Sequence, residues 1–291
     1  MGRGLMLPLF KNGDFMKYKK LLGKGIYVVA MGALIFASYS LTKIYLDYSS
    51  GNSTYKNIDD MFVVSEDESE TIKDDILSGN KEDEDENEND ALTYEVKDKN
   101  WVWDYDKLLK YNSDALGYIR QESSRIQYPI LQTDDNKYYL SHAADKSANA
   151  NGAIFADCEC TDGLQAWNCV IFGHNMWTDS MFGSLLNYEK KKYYKKNPTF
   201  DIYIGDDHYV YYVFAAYATS ASADGDAYKT AFESEAEFEK WQSSCMGKSL
   251  YETNIKTLNA EDRIITLSTC TKNDSSKRFV VQLARGEQVI D

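Results

Sequence analysis

The 291-residue chain is 43% hydrophobic, ample for one medium domain with extensions, and it carries a formal net charge of −14. Residues 1–46 hold seven Lys/Arg and one Asp, so the acidic excess lies entirely beyond them. An acidic body excludes a nucleic-acid partner, and a basic start ahead of it is the pattern of an exported protein tethered to a membrane.

In chain order, residues 1–24 form a basic, cytoplasmic N-terminus ending in Lys17, Lys19, Lys20 and Lys24. Residues 25–42 follow as eighteen positions without a formal charge, before Lys43. At about 1.5 Å rise per residue this run reaches roughly 27 Å, just enough for a bilayer core of about 30 Å, which spans of about 17 residues upward can cross. The flanking lysines orient it with the C-terminal side outside the cell, so residues 25–46 are expected to be a single-pass signal-anchor. A cleaved signal peptide and a buried helix compete with that reading. Against the first, Ala37-Ser38-Tyr39-Ser40 is not a clean small-x-small site, and the run exceeds a usual signal-peptide core. A start at Met16 would give a more ordinary signal-anchor.

Residues 47–100 carry eighteen Asp/Glu against five Lys/Arg, with almost no apolar periodicity beyond Met61-Phe62-Val63-Val64. Like charges extend such a stretch and leave it nothing to bury, so it reads as an extracellular linker. The folded domain is expected over 101–291. A short helix at 104–111 leads into strand signals at 115–120, 126–132, 153–156 and 170–172, each punctuated by turn residues. Residues 181–196 read as a helix with a lysine-rich end. Strands resume at 200–204 and 208–220. The stretch 234–246 reads as an amphipathic helix carrying Phe238 and Trp241 on one face, with Gly247 as its stop. About eight short, mostly antiparallel strands favour a closed β-barrel.

The last two strands hold the chemistry. The alternating run 263–269 ends in the thiol of Cys270, then turns through 271–277 into Arg278 and the strand 279–283. A hairpin of this form points a thiol and a guanidinium at one spot. There the cation stabilises the thiolate and its fork of donors can hold an oxyanion. A lone strand-end cysteine is more often a small core residue. What tips the balance is the apolar strand upstream, which ends in Gly173-His174-Asn175 and puts an imidazole at a strand-to-loop junction, where His142 and His208 lack such a setting.

Thr266-Leu267-Ser268-Thr269-Cys270 with Arg278 eight positions on, together with the upstream Gly-His-Asn, closely resembles the sortases, cysteine transpeptidases of Gram-positive surfaces. Tyr128-Pro129-Ile130-Leu131-Gln132, Asp135 to Leu140, Gly152 to Asp157 and Ser180 to Leu185 are similar to the class B branch in order and spacing, as is the helical insertion before the cysteine strand. The resemblance implies an eight-stranded sortase barrel with N-terminal helices, and Cys270, His174 and Arg278 as the catalytic trio. It also implies that Ser268, Asn136, Leu140 and Phe172 line or approach the peptide groove. The implied activity is cleavage of an NPxTN or xPxTG sorting motif after Thr through a Cys thioester. The surface protein then passes to a peptidoglycan amino group. The alternatives are a pilin-polymerising class B enzyme that uses a pilin lysine, and a non-catalytic tethered binding domain.

A monomer needing no cofactor and no metal is expected. A zinc set from Cys158, Cys160, Cys169 and His174 would consume the imidazole, and its C-x-C spacing is not the usual knuckle. Those cysteines and Cys245 are left as reduced packing thiols or, for Cys169, a disulfide partner.

Overall fold

The computed structural model describes residues 12–62, 101–121, 124–222, 226–271, 274 and 276–289. The basic residues 1–11, the acidic stretch 63–100 and the loop residues Lys272, Asn273 and Ser275 lie outside them. The chain divides into two compact units, Met1–Ser49 and Ser50–Asp291.

The first unit is helical from Asn12 onward, as the greater part of helix α1 (Asn12–Asp60). Its segment Gly25–Leu46, 22 residues of mean hydropathy 1.6, is long and apolar enough to cross a membrane. Large side chains such as Ile26, Leu34 and Phe36 are exposed there.

The second unit is a barrel of eight strands: β1 (Ala115–Arg120), β2 (Gln127–Leu131), β3 (Ile154–Ala156), β4 (Asn168–Phe172), β5 (Thr199–Ile204), β6 (Asp207–Ser220), β7 (Ile264–Cys270) and β8 (Lys277–Val289). They close in the order β1-β2-β3-β4-β7-β8-β6-β5, and β5 returns to pair with β1. The β2–β3 and β4–β7 pairs are parallel and the others antiparallel. The parallel β4–β7 pair matters most for function, because it lays the strand leading to His174 beside the one ending in Cys270. Its register, Asn168↔Ile264 through Phe172↔Ser268, is locked by the buried Thr266. The Thr266 hydroxyl donates to Asn168 Oδ1 at 2.8 Å and accepts from Gln282 Nε2 at 3.1 Å, while Gln282 Oε1 accepts from the Tyr217 hydroxyl at 3.2 Å. A buried polar chain of this kind stabilises one register because any slip would leave desolvated groups unpaired.

Helix α2 (Tyr105–Tyr111) starts on Asp104, whose side chain accepts from Lys107 N at 2.9 Å. The helix expected over 181–196 is two pieces, a 3₁₀ helix at Gly183–Glu189 and then α3 (Lys191–Lys196). Lys190 between them is extended, with φ −105° and ψ 117°. Helix α4 (Glu235–Lys248), capped by Ser234, does not stop at Gly247. It runs on to Lys248, where the Ser249 N–H reaches Met246 O at 3.2 Å without a left-handed residue. Phe238, Trp241 and Cys245 of α4 bury against Phe214, Tyr217, Ile264 and Val280 on the outside of the barrel.

Residues 51–62 depart from the linker expected at 47–100. They complete α1 and a following turn within the second unit, and Tyr55, Ile58 and Phe62 are buried. Phe62 packs against Trp103 and Trp101 at centroid distances of 5.1 and 5.4 Å. Asp59 Oδ1 accepts from the Tyr118 hydroxyl at 3.1 Å and from Trp101 Nε1 at 3.2 Å. A spacing of three residues puts Tyr55 and Ile58 on one face of α1, and Phe62 joins them from the turn that follows. The surrounding acid conceals that stripe in the sequence.

Candidate active site

Cys270 and Arg278 are register partners across the antiparallel β7–β8 pair, so their side chains leave the same face of the sheet where the hairpin opens. Both are half-buried. Period-two alternation puts Thr266, Ser268 and Cys270 on one face of β7, a polar column ending in the thiol. On the neighbouring strand the chain leaves β4 at Phe172 and reaches His174 two residues later. This loop is stitched to β7: the Gly173 N–H donates to Ser268 O at 3.2 Å, the Thr269 hydroxyl to Gly173 O at 2.9 Å, and Asn175 Nδ2 to Cys270 O at 2.8 Å.

His174 Nε2 lies 2.8 Å from the Leu140 carbonyl oxygen. A carbonyl only accepts, so Nε2 carries the proton and Nδ1 is the nitrogen left to exchange one. The other two imidazoles have structural partners. His142 stacks on Tyr138 at 4.1 Å, and His208 is buried with Nε2 2.8 Å from Asp201 Oδ1.

A cleft of about 470 Å³ opens at this rim, and Cys270, His174 and Arg278 line it together with Ser268, Asn136, Leu140 and Phe172. All seven residues singled out in the sequence thus converge on one cleft. Their settings differ. Leu140 is exposed and offers an apolar surface, whereas Ser268 is buried with its hydroxyl 3.0 Å from that of Tyr228. Asn136 is engaged in the wall: its Nδ2 donates to Asp157 Oδ1 at 2.8 Å, and its Oδ1 accepts from Cys158 N at 2.9 Å. Phe172 sits between the rings of Phe155 and Tyr228, at 5.5 and 6.2 Å.

Tyr228 belongs to the same wall and was not legible in the sequence, being one tyrosine in a polar stretch. It is held in place because Trp241 Nε1 donates to Asp226 O at 2.5 Å and Asn168 Nδ2 to Lys229 O at 2.9 Å. Burial pushes its phenol above the ordinary value. The bond to Ser268 and the Arg278 charge work against that rise, and Cys270 adds to it. The remaining cysteines lie apart from this chemistry. Cys160 and Cys169 are buried with their thiols in contact, which together with burial pushes the Cys169 thiol up, and Cys245 is buried near the Tyr217 hydroxyl.

A closed barrel of this strand order, with a thiol ending β7, a guanidinium opening β8 and an imidazole after β4, is the architecture of a sortase. The Sortase domain model matches residues 119–285, and the chain belongs to the sortase family of cysteine transpeptidases. Within it the chain falls in class B. It is 33% identical to sortase B of Listeria monocytogenes over 269 residues, covering 92% of this chain and 98% of that one. The structure of Clostridium perfringens sortase B superposes with a TM-score of 0.60 at 29% identity, covering 63% of this chain and 100% of that one. A Staphylococcus aureus sortase B-substrate complex gives 0.58 at 27% identity, over 63% and 84% of the two chains.

Proposed function

We propose that this chain is a membrane-anchored class B sortase that cleaves a sorting motif of NPxTN or xPxTG type after Thr and transfers the surface protein to an amino group of a peptidoglycan precursor. Residues 1–24 lie in the cytoplasm, 25–46 span the membrane, and the domain ending at 291, with the packed residues 51–62 and the acidic stretch that follows them, works outside the cell. The observation that carries the reading is the convergence of Cys270, His174 and Arg278 with the four expected groove residues on one cleft. The apolar, exposed Gly25–Leu46 helix supports the anchor.

In the forward step the Cys270 thiolate attacks the Thr carbonyl carbon, and the oxyanion is held by the Arg278 guanidinium. Collapse breaks the C–N bond while His174 gives its Nδ1 proton to the leaving amine, which leaves a thioester. In the second step the acceptor amine attacks the thioester, its proton passes to His174, and the thiolate departs. Leu140 and Phe172 give the peptide an apolar bed, and Ser268 and Asn136 border it with polar groups.

The direct test of the reading is incubation with motif peptides of both types and an amine acceptor, with the ligated product identified by mass. Ligation after Thr is expected, and hydrolysis elsewhere, or none, contradicts it. The role of Arg278 is testable separately. Losing a preorganised oxyanion donor costs about 10²–10³-fold, whereas losing an exposed ion pair costs about 0–1 kcal/mol. A lysine keeps the charge but not the planar fork. Arg278→Lys is therefore expected to fold normally and to lose at least about tenfold in transpeptidation, a floor under the donor-loss range. Near-normal turnover would reduce Arg278 to charge balance.

A further inference from the structure

The buried turns at residues 51–62 touch more than the outside of the barrel. Tyr55 packs edge-on against Tyr128 at 5.0 Å, and its hydroxyl donates to the carbonyl of Gly152 at 2.5 Å. Gly152 has φ +60°, a conformation that glycine adopts without cost. A Cβ there would lie 2.5 Å from Tyr139 O, 3.0 Å from Leu140 O and 3.0 Å from Cδ2 of His174. The backbone at Gly152 therefore runs beside the imidazole edge with no room for a side chain between them, next to the same Leu140 carbonyl that accepts from Nε2 at 2.8 Å. The His174 ring is bonded to one backbone carbonyl and bordered by the backbone of Gly152, which Tyr55 fixes from behind.

The segment that carries Gly152 has little regular structure of its own. Between the 3₁₀ turn at Tyr138–Leu140 and β3 it runs as turns and isolated bridges. A glycine peptide in such a segment has several backbone conformations within reach, so an external bond to its carbonyl selects one of them. On the other side Tyr55 is held by α1, which Ile58, Asp59 and, in the turn after it, Phe62 fasten to the barrel.

We infer that Tyr55 is a positioning residue for His174, so that the turns following the apolar helix are part of the support of the active site rather than part of a linker. The inference rests on the proposed acid/base role of His174. It makes residues 51–62 part of the functional catalytic unit.

The test uses the full chain in detergent micelles with the isosteric change Tyr55→Phe, which keeps the ring against Tyr128 and removes only the hydroxyl. Sorting-peptide cleavage gives kcat and KM. The chain has three histidines, His142, His174 and His208, so selective labelling of their ring carbons yields three signals, assigned with His174→Ala. A full 1 Å misplacement of a catalytic group can cost 10²-fold, and loss of one supporting bond is expected to lower kcat by about tenfold. KM should stay within about twofold and only the His174 ring signal should move, with unshifted His142 and His208 signals reporting an intact fold. An unmoved His174 signal, or a kcat within about twofold of the parent, overturns the inference. If His174→Ala itself turns over normally, the inference falls together with the assignment of His174. If His174→Ala is crippled while Tyr55→Phe is not, the inference alone falls.

Discussion

Replacing Cys270 with alanine is expected to abolish both peptide cleavage and amine transfer while leaving the barrel folded. The side chain is half-buried at the end of β7, so its loss empties little of the core. The strand is held to β4 and β8 by its own ladder and by Thr266, none of which involves the thiol. Among the described residues of the cleft the nucleophile has no substitute: Ser268 is buried against Tyr228, and the Thr269 hydroxyl is committed to Gly173 O. Circular dichroism and a thermal midpoint near the parent's, with no detectable product, is the expected combination. Cleavage surviving in this variant would remove the foundation of the whole reading.

His174→Ala is expected to lower turnover by about 10²–10⁴-fold, the usual worth of general acid-base assistance. The loss should appear in kcat more than in KM, because the imidazole acts on the leaving and entering amines rather than on peptide binding. His174 is half-buried and its Nε2 bonds a backbone carbonyl on the cleft wall, so the fold should survive its removal. His208→Ala is the contrasting control. That ring is buried against Asp201 and stacked on Tyr203 at 4.4 Å, so its loss should lower stability, because it removes a buried hydrogen bond and a packed ring. Collapse of the fold in His174→Ala, with His208→Ala unaffected, would reverse the two assignments.

Much of this was legible in the sequence for definite physical reasons. β7 and β8 alternate cleanly and are joined by a polar loop, so the register that faces Cys270 with Arg278 follows from the hairpin itself. The strand ending at Phe172 is a short apolar run closed by Gly173, which marks His174 as lying at a junction. What local pattern cannot give is the pairing of strands far apart in the chain. The parallel β4–β7 pair joins Val170 to Thr266, and only that pairing brings Asn175 to the Cys270 carbonyl. Tyr228 reaches the cleft through the packing of α4 and the Asn168 amide, both long-range contacts. The docking of 51–62 was hidden differently. Tyr55, Ile58 and Phe62 have helical spacing, but composition over a long window averages them into an acidic stretch. Gly247 failed as a helix stop because glycine permits a left-handed cap without requiring one.

The central claim is that Cys270 forms a thioester with the Thr of a sorting motif, and the most direct measurement is intact-protein mass spectrometry after rapid acid quench of a reaction lacking an amine acceptor. The predicted result is an adduct of the peptide truncated after Thr, mapped by digestion to Cys270, discharged by hydroxylamine and absent in Cys270→Ala. An adduct on Cys158, Cys160, Cys169 or Cys245, or turnover with no adduct at any time point, would contradict the account.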